Sequence, residues 1–275
     1  MAHPQIAAFA RLAKGGDMPK RLVSGQGSKL SRTMHDIRYD EIHDEFLIAN
    51  PFAQAVLTFR GGADGEEAPI RIIQGPHTQL GAGRMDVDPI HNEIFVPTGN
   101  AILVFPREAV GDVAPIRVIR GPDTLLKNAA SLSVDPVNNL IAVGLNNTLK
   151  ADPKNNGALL IFNRTDNGTV KPRGEIRGPK SGIVRINQID VYPPRKLVVA
   201  ASPGPVYEME PEDAFVGVWS LEDDGDIPPL YKISVGPQST MKKPFGLVLN
   251  AKHKELIVSD MRLQSVLTFY FPEIF

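Results

Sequence analysis

The stretch PIRVIRGPDTLL at residues 115–126 repeats, with small changes, the stretch PIRIIQGPHTQL at residues 69–80. The glycine of this motif recurs along the chain at intervals of 46 to 58 residues. Its five copies are Gly25, Gly75, Gly121, Gly178 and Gly236. Self-similarity at a long, regular period is typical of repeat architectures. The motif therefore marks a structural unit that the chain repeats, rather than a local site that it uses twice.

Each repeat contains four short apolar segments that are separated by turn sequences. One of them ends in an aromatic residue that lies 16 or 17 residues before the motif glycine. After the glycine come a segment such as RMDVDP and then a segment such as EIFVPT. Runs of Val, Ile, Leu and Phe bounded by Asp-Pro, Asn-Gly and Gly-Pro predict β-strands, and no helical periodicity of useful length follows the first dozen residues.

Four antiparallel strands that repeat at this period are the signature of a β-propeller blade, with strands a to d running from the axis outward. The predicted a–b strand pairs lie at residues 34–50, 82–98, 129–146, 186–202 and 244–260. Five pairs predict five blades. We therefore expect an all-β fold, a single five-bladed β-propeller with four antiparallel strands per blade, as one domain over residues 1–275.

The two ends of the chain predict how the ring closes. A c–d pair, QIAAF and PKRLVSG, precedes the first a strand, whereas the last unit stops after the c strand SVLTFYF. Because an unpaired blade edge promotes aggregation, we expect residues 19–25 to complete the C-terminal blade by pairing with the strand around Phe269. One c-like strand, at residues 4–10 or 265–271, is then left over. If residues 4–10 add to a neighbouring subunit, strand exchange would produce a homo-oligomer.

These motifs resemble those of bacterial β-propellers of the NHL and YVTN type. In these families, turns of the form D-P-x-x-N-x-I-x-V join strands a and b, and VDPIHNEIFV and VDPVNNLIAV are similar to them. The segment ILVFPREAVGD resembles their c strand and the turn after it. The resemblance covers essentially the whole chain and implies a propeller fold. Family members include lactonases, a streptogramin lyase, sensor domains and protein-binding scaffolds, so fold alone does not assign the function.

The composition narrows the classes of partner and compartment. A net charge of −1 gives no bulk attraction to nucleic acid or to acidic membranes. The absence of cysteine excludes thiolate metal ligands and disulfides. No apolar run of about 18 residues is present to span a membrane. The chain shows no signal peptide, and its localisation, cytoplasmic or extracytoplasmic, stays open.

Two loops stand out from the repeat. The predicted b–c loops are short in three blades but long in blades 3 and 4, at residues 146–157 and 202–214, on the face where the central channel opens. Neutral insertion of residues into a surface loop that tolerates them would explain such length. Long loops on a rigid scaffold, however, also often carry binding or catalytic residues. We therefore interpret the chain as a non-catalytic scaffold that binds a protein, peptide or glycan partner on this face. The candidate contact residues are Lys150, Asp152, Tyr207, Glu208, Met209, Glu210, Glu212 and Asp213.

The alternative function is a metal-assisted lactonase or lyase with its site at the channel mouth. The resemblance implies it, because calcium-dependent lactonase propellers place oxygen ligands from several blades there. The residues predicted at the mouth are His35, Asn50, Asn146, Asn187 and Asp260. No Glu occupies an equivalent position, although a hard cation requires six or more oxygens with enough negative charge. The scaffold interpretation assigns no catalytic residue, metal or cofactor, and only the alternative requires calcium.

The charged residues of the first two a strands have a structural interpretation. Asp36 and Arg38 in blade 1 register with Arg84 and Asp86 in blade 2. Ion pairs between the blades would neutralise these four charges near the axis, where an unpaired buried charge is costly.

Overall fold

The computed structural model describes residues 4–32, 34–81, 83–146 and 157–275. These residues form an all-β structure of 21 strands, with six single-turn 3-10 helices. Two strands, Gln5–Ala8 (β1) and Arg21–Ser24 (β2), pair as an antiparallel hairpin. The other strands form five sheets, which we number as blades 1 to 5 in chain order. No helix in the described ranges has the length and apolar content to span a membrane.

Within each blade the strands follow one another in chain order, and neighbours are hydrogen-bonded. Blade 1 contains Asp36–Asp40 (β3), Glu45–Asn50 (β4), Ala55–Arg60 (β5) and Arg71–Gln74 (β6). Blade 2 contains Asp86–Asp88 (β7), Glu93–Pro97 (β8), Ala101–Pro106 (β9) and Arg117–Arg120 (β10). Blade 3 contains Ala129–Asp135 (β11), Leu140–Leu145 (β12), Ala158–Asn163 (β13) and Gly174–Ile176 (β14). Blade 4 contains Gln188–Tyr192 (β15), Leu197–Ser202 (β16), Phe215–Ser220 (β17) and Tyr231–Ser234 (β18). Blade 5 contains Pro244–Asn250 (β19), Glu255–Asp260 (β20) and Ser265–Tyr270 (β21).

The 3-10 helices lie in turns between these strands and after the last one. They are Pro51–Ala53, Pro76–Thr78, Pro122–Thr124, Pro193–Arg195, Ala251–His253 and Pro272–Ile274. The structure confirms the five predicted blades and their a–b strand pairs. It also confirms four antiparallel strands in blades 1 to 4, whereas blade 5 has three.

Contacts within the chain group it into two compact units, residues 1–96 with 103–116 and residues 97–102 with 117–275. In the first unit, the hairpin residue Val23 packs into a buried cluster with residues of blade 1 that include Phe46 and Phe59, whose rings stack at 5.1 Å. In the second unit, strands of blades 3 and 4 enclose Phe215 and Trp219, and the opposite face of blade 4 packs on blade 5. Burial of both faces explains why these strands are apolar throughout instead of alternating. One domain over residues 1–275 stays a prediction.

The repeated motif forms the turn between strand d and the next strand a. In its blade 2 copy, the Oγ1 of Thr124 donates a hydrogen bond of 2.7 Å to the carbonyl oxygen of Gly121. The amide of Leu126 donates to the same hydroxyl at 3.3 Å, and the Leu126 side chain is buried. Gly121 has φ 140° and ψ 172°, a region that essentially only glycine occupies. A Cβ there would also lie 2.0 Å from the hydroxyl of Thr169, so the motif requires this glycine.

The same arrangement recurs at every copy of the motif. A hydroxyl residue stands three positions after the glycine, and a buried apolar residue stands five positions after it. The hydroxyl residues are Ser28, Thr78, Thr124, Ser181 and Ser239. The buried residues are Leu30, Leu80, Leu126, Ile183 and Met241. The motif is therefore architectural, as the sequence indicates.

The c-strand aromatics are buried in four blades and only partly buried in the fifth. Phe59, Phe105, Phe162 and Trp219 are each 0 % exposed. Phe269, their equivalent on β21, is half-buried against blade 4. In the part of the chain that the structure describes, no fourth strand lies beside β21, so the outer side of Phe269 has less to pack against.

The strand pairing differs from the closure expected at the N-terminus. β2 pairs with β1 in the register Ile6 with Val23, and in the described residues no strand pairs with the outer edge of β21. The surplus c-like strand at residues 4–10 thus pairs with the strand that follows it. Pairing of residues 19–25 with the strand around Phe269 stays a prediction.

An ion pair of the kind expected between blades 1 and 2, that of Arg38 with Asp86, is present in the first unit. The Nε of Arg38 lies 3.6 Å from Asp36 and 3.5 Å from Asp86, and it donates a hydrogen bond of 3.1 Å to the carbonyl oxygen of Met85. Burial raises the pKa of Asp36, and the Arg38 guanidinium opposes this change. These groups therefore neutralise one another inside the structure, which supports the structural interpretation of the a-strand charges.

Candidate functional site

The b–c loop of blade 4, residues 203–213, projects apolar side chains into solvent. We call it the blade 4 loop. Val206, Tyr207 and Met209 are 51 %, 70 % and 60 % exposed, respectively. The acidic residues predicted to contact a partner, Glu208, Glu210, Glu212 and Asp213, are exposed as well. The loop thus presents an apolar surface with carboxylates around it.

Two buried cations hold the backbone of the blade 4 loop from beneath. The Nε of Arg185 donates a hydrogen bond of 2.7 Å to the carbonyl oxygen of Gly204. The Nζ of Lys243 donates a hydrogen bond to the carbonyl oxygen of Glu208. Desolvation lowers the pKa of Lys243, and the Arg185 guanidinium lowers it further. Charged donors make stronger hydrogen bonds than neutral ones, so these contacts fix the loop on the scaffold.

Loop geometry also restricts the conformation of the blade 4 loop. Gly204 has φ 69°, and a Cβ on it would lie 2.6 Å from the Cβ of Pro211. The loop therefore folds back on itself, with residues 203–205 and Pro211 buried and residues 206–210 exposed. A preorganised loop loses less conformational entropy when it binds a partner.

The turn between β20 and β21 adjoins the blade 4 loop and extends its surface. The Nε of Arg262 lies 2.7 Å from the Oε1 of Glu210. On either side of Arg262, Met261 and Leu263 are 51 % and 42 % exposed. We define the loop-face patch as residues 206–210, 212 and 213 together with residues 261–263.

Sequence reasoning missed the residues that support this patch, namely Arg185, Lys243, Arg262, Met261 and Leu263. A signal was available for two of them. Arg185 and Lys243 occupy the same repeat position, two residues before Asn187 and Phe245 at the start of their a strands. Basic residues at equivalent positions of two adjacent blades could have indicated a shared loop-anchoring role.

The residues predicted at the channel mouth mostly hold loops in place. The carboxylate of Asp260 accepts hydrogen bonds from the amides of residues 242, 243, 262 and 263 at 2.7 to 3.0 Å. The Nδ2 of Asn187 donates to the carbonyl oxygen of Phe245 at 2.6 Å, and the Nδ2 of Asn50 donates to that of Lys29 at 3.1 Å. Side chains engaged in this way have little capacity left for a ligand.

The remaining channel-mouth residues have different surroundings. Among the described residues, the Oδ1 of Asn146 is buried and has no hydrogen-bond partner. His35 is exposed, and desolvation together with the Arg84 guanidinium lowers its pKa. In the described part of the chain, no group of three or more His, Asp or Glu residues is placed to hold a metal ion. Lys150, Asp152 and most of the blade 3 insertion, residues 147–156, lie outside the described residues.

Comparisons with known proteins agree with the architecture. The chain matches no protein-family model and no curated protein sequence. It is similar to the crystal structure of a nidogen/laminin complex, with 11 % sequence identity and a TM-score of 0.56 over 86 % of this chain and 80 % of that chain. A likeness at this identity shows the fold alone. The chain therefore has an all-β, five-bladed β-propeller fold, which is consistent with a binding scaffold.

Proposed function

We propose that the chain is a non-catalytic β-propeller scaffold that binds a protein partner through the loop-face patch. The observation that carries this proposal is the combination of exposed Tyr207 and Met209 with a loop backbone fastened by two buried cations. Tyr and Met are enriched in protein interfaces, and large exposed side chains on a rigid support make effective anchors. The similar solved structure is of a nidogen/laminin complex, which supports a protein as the partner class.

The charge of the patch favours a partner with a basic surface. Glu208, Glu212 and Asp213 are exposed, and Glu210 pairs with a single arginine. Complementary charge around an apolar centre increases the association rate and discriminates against acidic partners. A protein or peptide segment with lysine or arginine around an aromatic residue fits this surface better than a neutral glycan does.

Three finer predictions accompany this proposal. The chain would belong to the bacterial NHL and YVTN type of propeller, residues 19–25 would close the ring at the strand around Phe269, and residues 4–10 could mediate strand exchange between copies. Removal of residues 1–12 separates the last two: a stable monomer supports closure, whereas loss of an oligomer supports exchange.

The binding proposal is tested by selecting ligands from broad libraries. A random peptide library and a glycan array are screened against the purified chain. We expect selected peptides that carry basic and aromatic residues, and an affinity loss of about tenfold or more in the variant Tyr207→Ser/Met209→Ser. The matched control is Val137→Ser/Leu230→Ser, which removes two residues of similar exposure from other turns of the second unit. Equal binding by both variants, or binding of glycans alone, would contradict the proposal.

A further inference from the structure

The sulfur atoms of this chain all belong to methionine side chains. The sequence contains seven methionines and no cysteine, so an oxidant that attacks sulfur meets thioethers and no thiol. The exposure of these thioethers differs widely. Met85 and Met241 are 0 % exposed, whereas Met18, Met209 and Met261 are 81 %, 60 % and 51 % exposed. Among the methionines that the structure describes, these last three have the most exposed side chains.

Two of the three exposed methionines lie together on the loop-face patch. Met209 directly precedes Glu210, and Met261 directly precedes Arg262. The Nε of Arg262 lies 2.7 Å from the Oε1 of Glu210, so this ion pair joins the two loops that carry the methionines. Met18 lies in the turn between β1 and β2 and is not part of the patch. The patch therefore combines two thioethers that solvent reaches.

The backbone beside each patch methionine is held in place. The Nζ of Lys243 donates a hydrogen bond to the carbonyl oxygen of Glu208, the residue before Met209. The carboxylate of Asp260, the residue before Met261, accepts hydrogen bonds of 2.9 and 3.0 Å from the amides of residues 262 and 263. These contacts keep both methionines at the surface, where a small oxidant reaches the sulfur.

We propose that Met209 and Met261 are sites of reversible oxidation by a peroxide, and that this oxidation controls binding at the loop-face patch. The thioether sulfur attacks one oxygen of hydrogen peroxide. An S–O bond forms, the O–O bond breaks, and the second oxygen leaves as water with both hydrogens. The sulfur is oxidised by two electrons, and the peroxide is reduced. Methionine sulfoxide reductases, one for each sulfoxide epimer, restore the thioether.

The surroundings of the two methionines suit this chemistry. Hydrogen peroxide is uncharged, so the exposed carboxylates of Glu208 and Glu212 do not repel it. A thioether packs favourably against an aromatic side chain, such as the one expected in the partner. A sulfoxide is polar, and its oxygen must be desolvated when an apolar surface covers it. Oxidation therefore weakens binding at the patch, an effect that rests on the proposed function.

The first measurement follows oxidation site by site and requires no partner. The full chain is treated with hydrogen peroxide, and its peptides are analysed by mass spectrometry over time. We expect Met209 and Met261 to gain one oxygen about tenfold faster than the buried Met85 and Met241, because accessibility governs the reaction. Circular dichroism should show that the fold is retained. Equal rates at exposed and buried methionines would overturn the inference.

The second measurement follows binding. The probe is the peptide with the highest affinity in the random-library selection, labelled with fluorescein and measured by fluorescence anisotropy. Peroxide treatment of the full chain should lower the affinity by about tenfold or more, as loss of an important interface contact does. Treatment with the two methionine sulfoxide reductases should restore it. Failure of the reductases to restore binding would contradict reversible oxidation as the cause.

Chain variants provide the matched controls. Met209→Leu/Met261→Leu lacks both patch thioethers, so its affinity after peroxide treatment should equal its own affinity before treatment. Met18→Leu removes an exposed methionine outside the patch and should stay sensitive to peroxide. Equal binding by the wild-type chain before and after oxidation would overturn the inference and leave the proposed function intact. Absence of binding before oxidation would instead refute the proposed function, and control by oxidation with it.

Discussion

The Nε of Arg185 lies 2.7 Å from the carbonyl oxygen of Gly204, although the two residues belong to different loops. Arg185 is 5 % exposed and also stacks over the ring of Phe245 at 5.5 Å. This hydrogen bond joins the turn before β15 to the blade 4 loop. The exposed apolar residues therefore stand on a loop whose base is fixed by a buried guanidinium.

Substitution of Arg185 by Met should loosen the blade 4 loop. The carbonyl oxygen of Gly204 would lose a charged donor, and such hydrogen bonds contribute about 1.5–3 kcal/mol. We expect faster amide hydrogen exchange in residues 205–213 and a lower urea midpoint. The control is Arg262→Gln, which breaks an exposed ion pair and should cost less than about 1 kcal/mol. Unchanged exchange in Arg185→Met would show that the loop does not depend on this contact.

The c-strand aromatics should differ in their contribution to stability. Phe162 is fully buried, and its truncation to Ala should lower the free energy of unfolding by about 3–5 kcal/mol. Phe269→Ala is the same chemical change at the half-buried equivalent in blade 5, and it should cost clearly less. Urea unfolding monitored by circular dichroism compares the two variants. Equal losses would contradict the view that Phe269 packs less completely than its equivalents in the other blades.

The motif glycine should not tolerate a side chain. Gly121→Ala places a Cβ against Thr169 in a backbone region that alanine avoids, so we expect a loss of about 1–3 kcal/mol or more. The control is Gly236→Ala, because Gly236 is another copy of the motif glycine with φ 150°, but a Cβ on it would have no atom within 4 Å. Its cost should stay near the roughly 1–3 kcal/mol of the backbone region alone. Thermal midpoints of the two variants distinguish collision from backbone strain.

Acidification should destabilise the fold through His35. Desolvation and the Arg84 guanidinium place the pKa of His35 in the folded state below its ordinary value of 6.5. Below that pH the unfolded chain binds the proton more readily than the folded chain, so stability decreases as the pH falls through this range. Between pH 7.5 and pH 5.5, we expect the thermal midpoint of unfolding to decrease less in His35→Gln than in the wild type. An identical decrease in both proteins would exclude His35 as a contributor.

The number and order of strands followed from the sequence alone. Each repeat carries its own local signals. In the blade 2 copy they are Gly121, whose backbone adopts φ 140°, the hydroxyl residue Thr124 three positions later, and the buried apolar residue Leu126. Because these signals act over a few residues, they can be recognised in the sequence before the fold is known. The exposure of Tyr207 and Met209 also followed from the length and composition of their loop.

Tertiary structure alone decided which strand β2 pairs with and which side chains support the blade 4 loop. The sequence pattern of β2 suits any outer-strand position, and only the three-dimensional arrangement shows that it pairs with β1. Likewise, a cation such as Lys243 looks solvated in the sequence, yet it is 2 % exposed and bound to the carbonyl oxygen of Glu208. Strand pairing and loop anchoring join residues far apart in the chain, so their energies depend on contacts that no local pattern encodes.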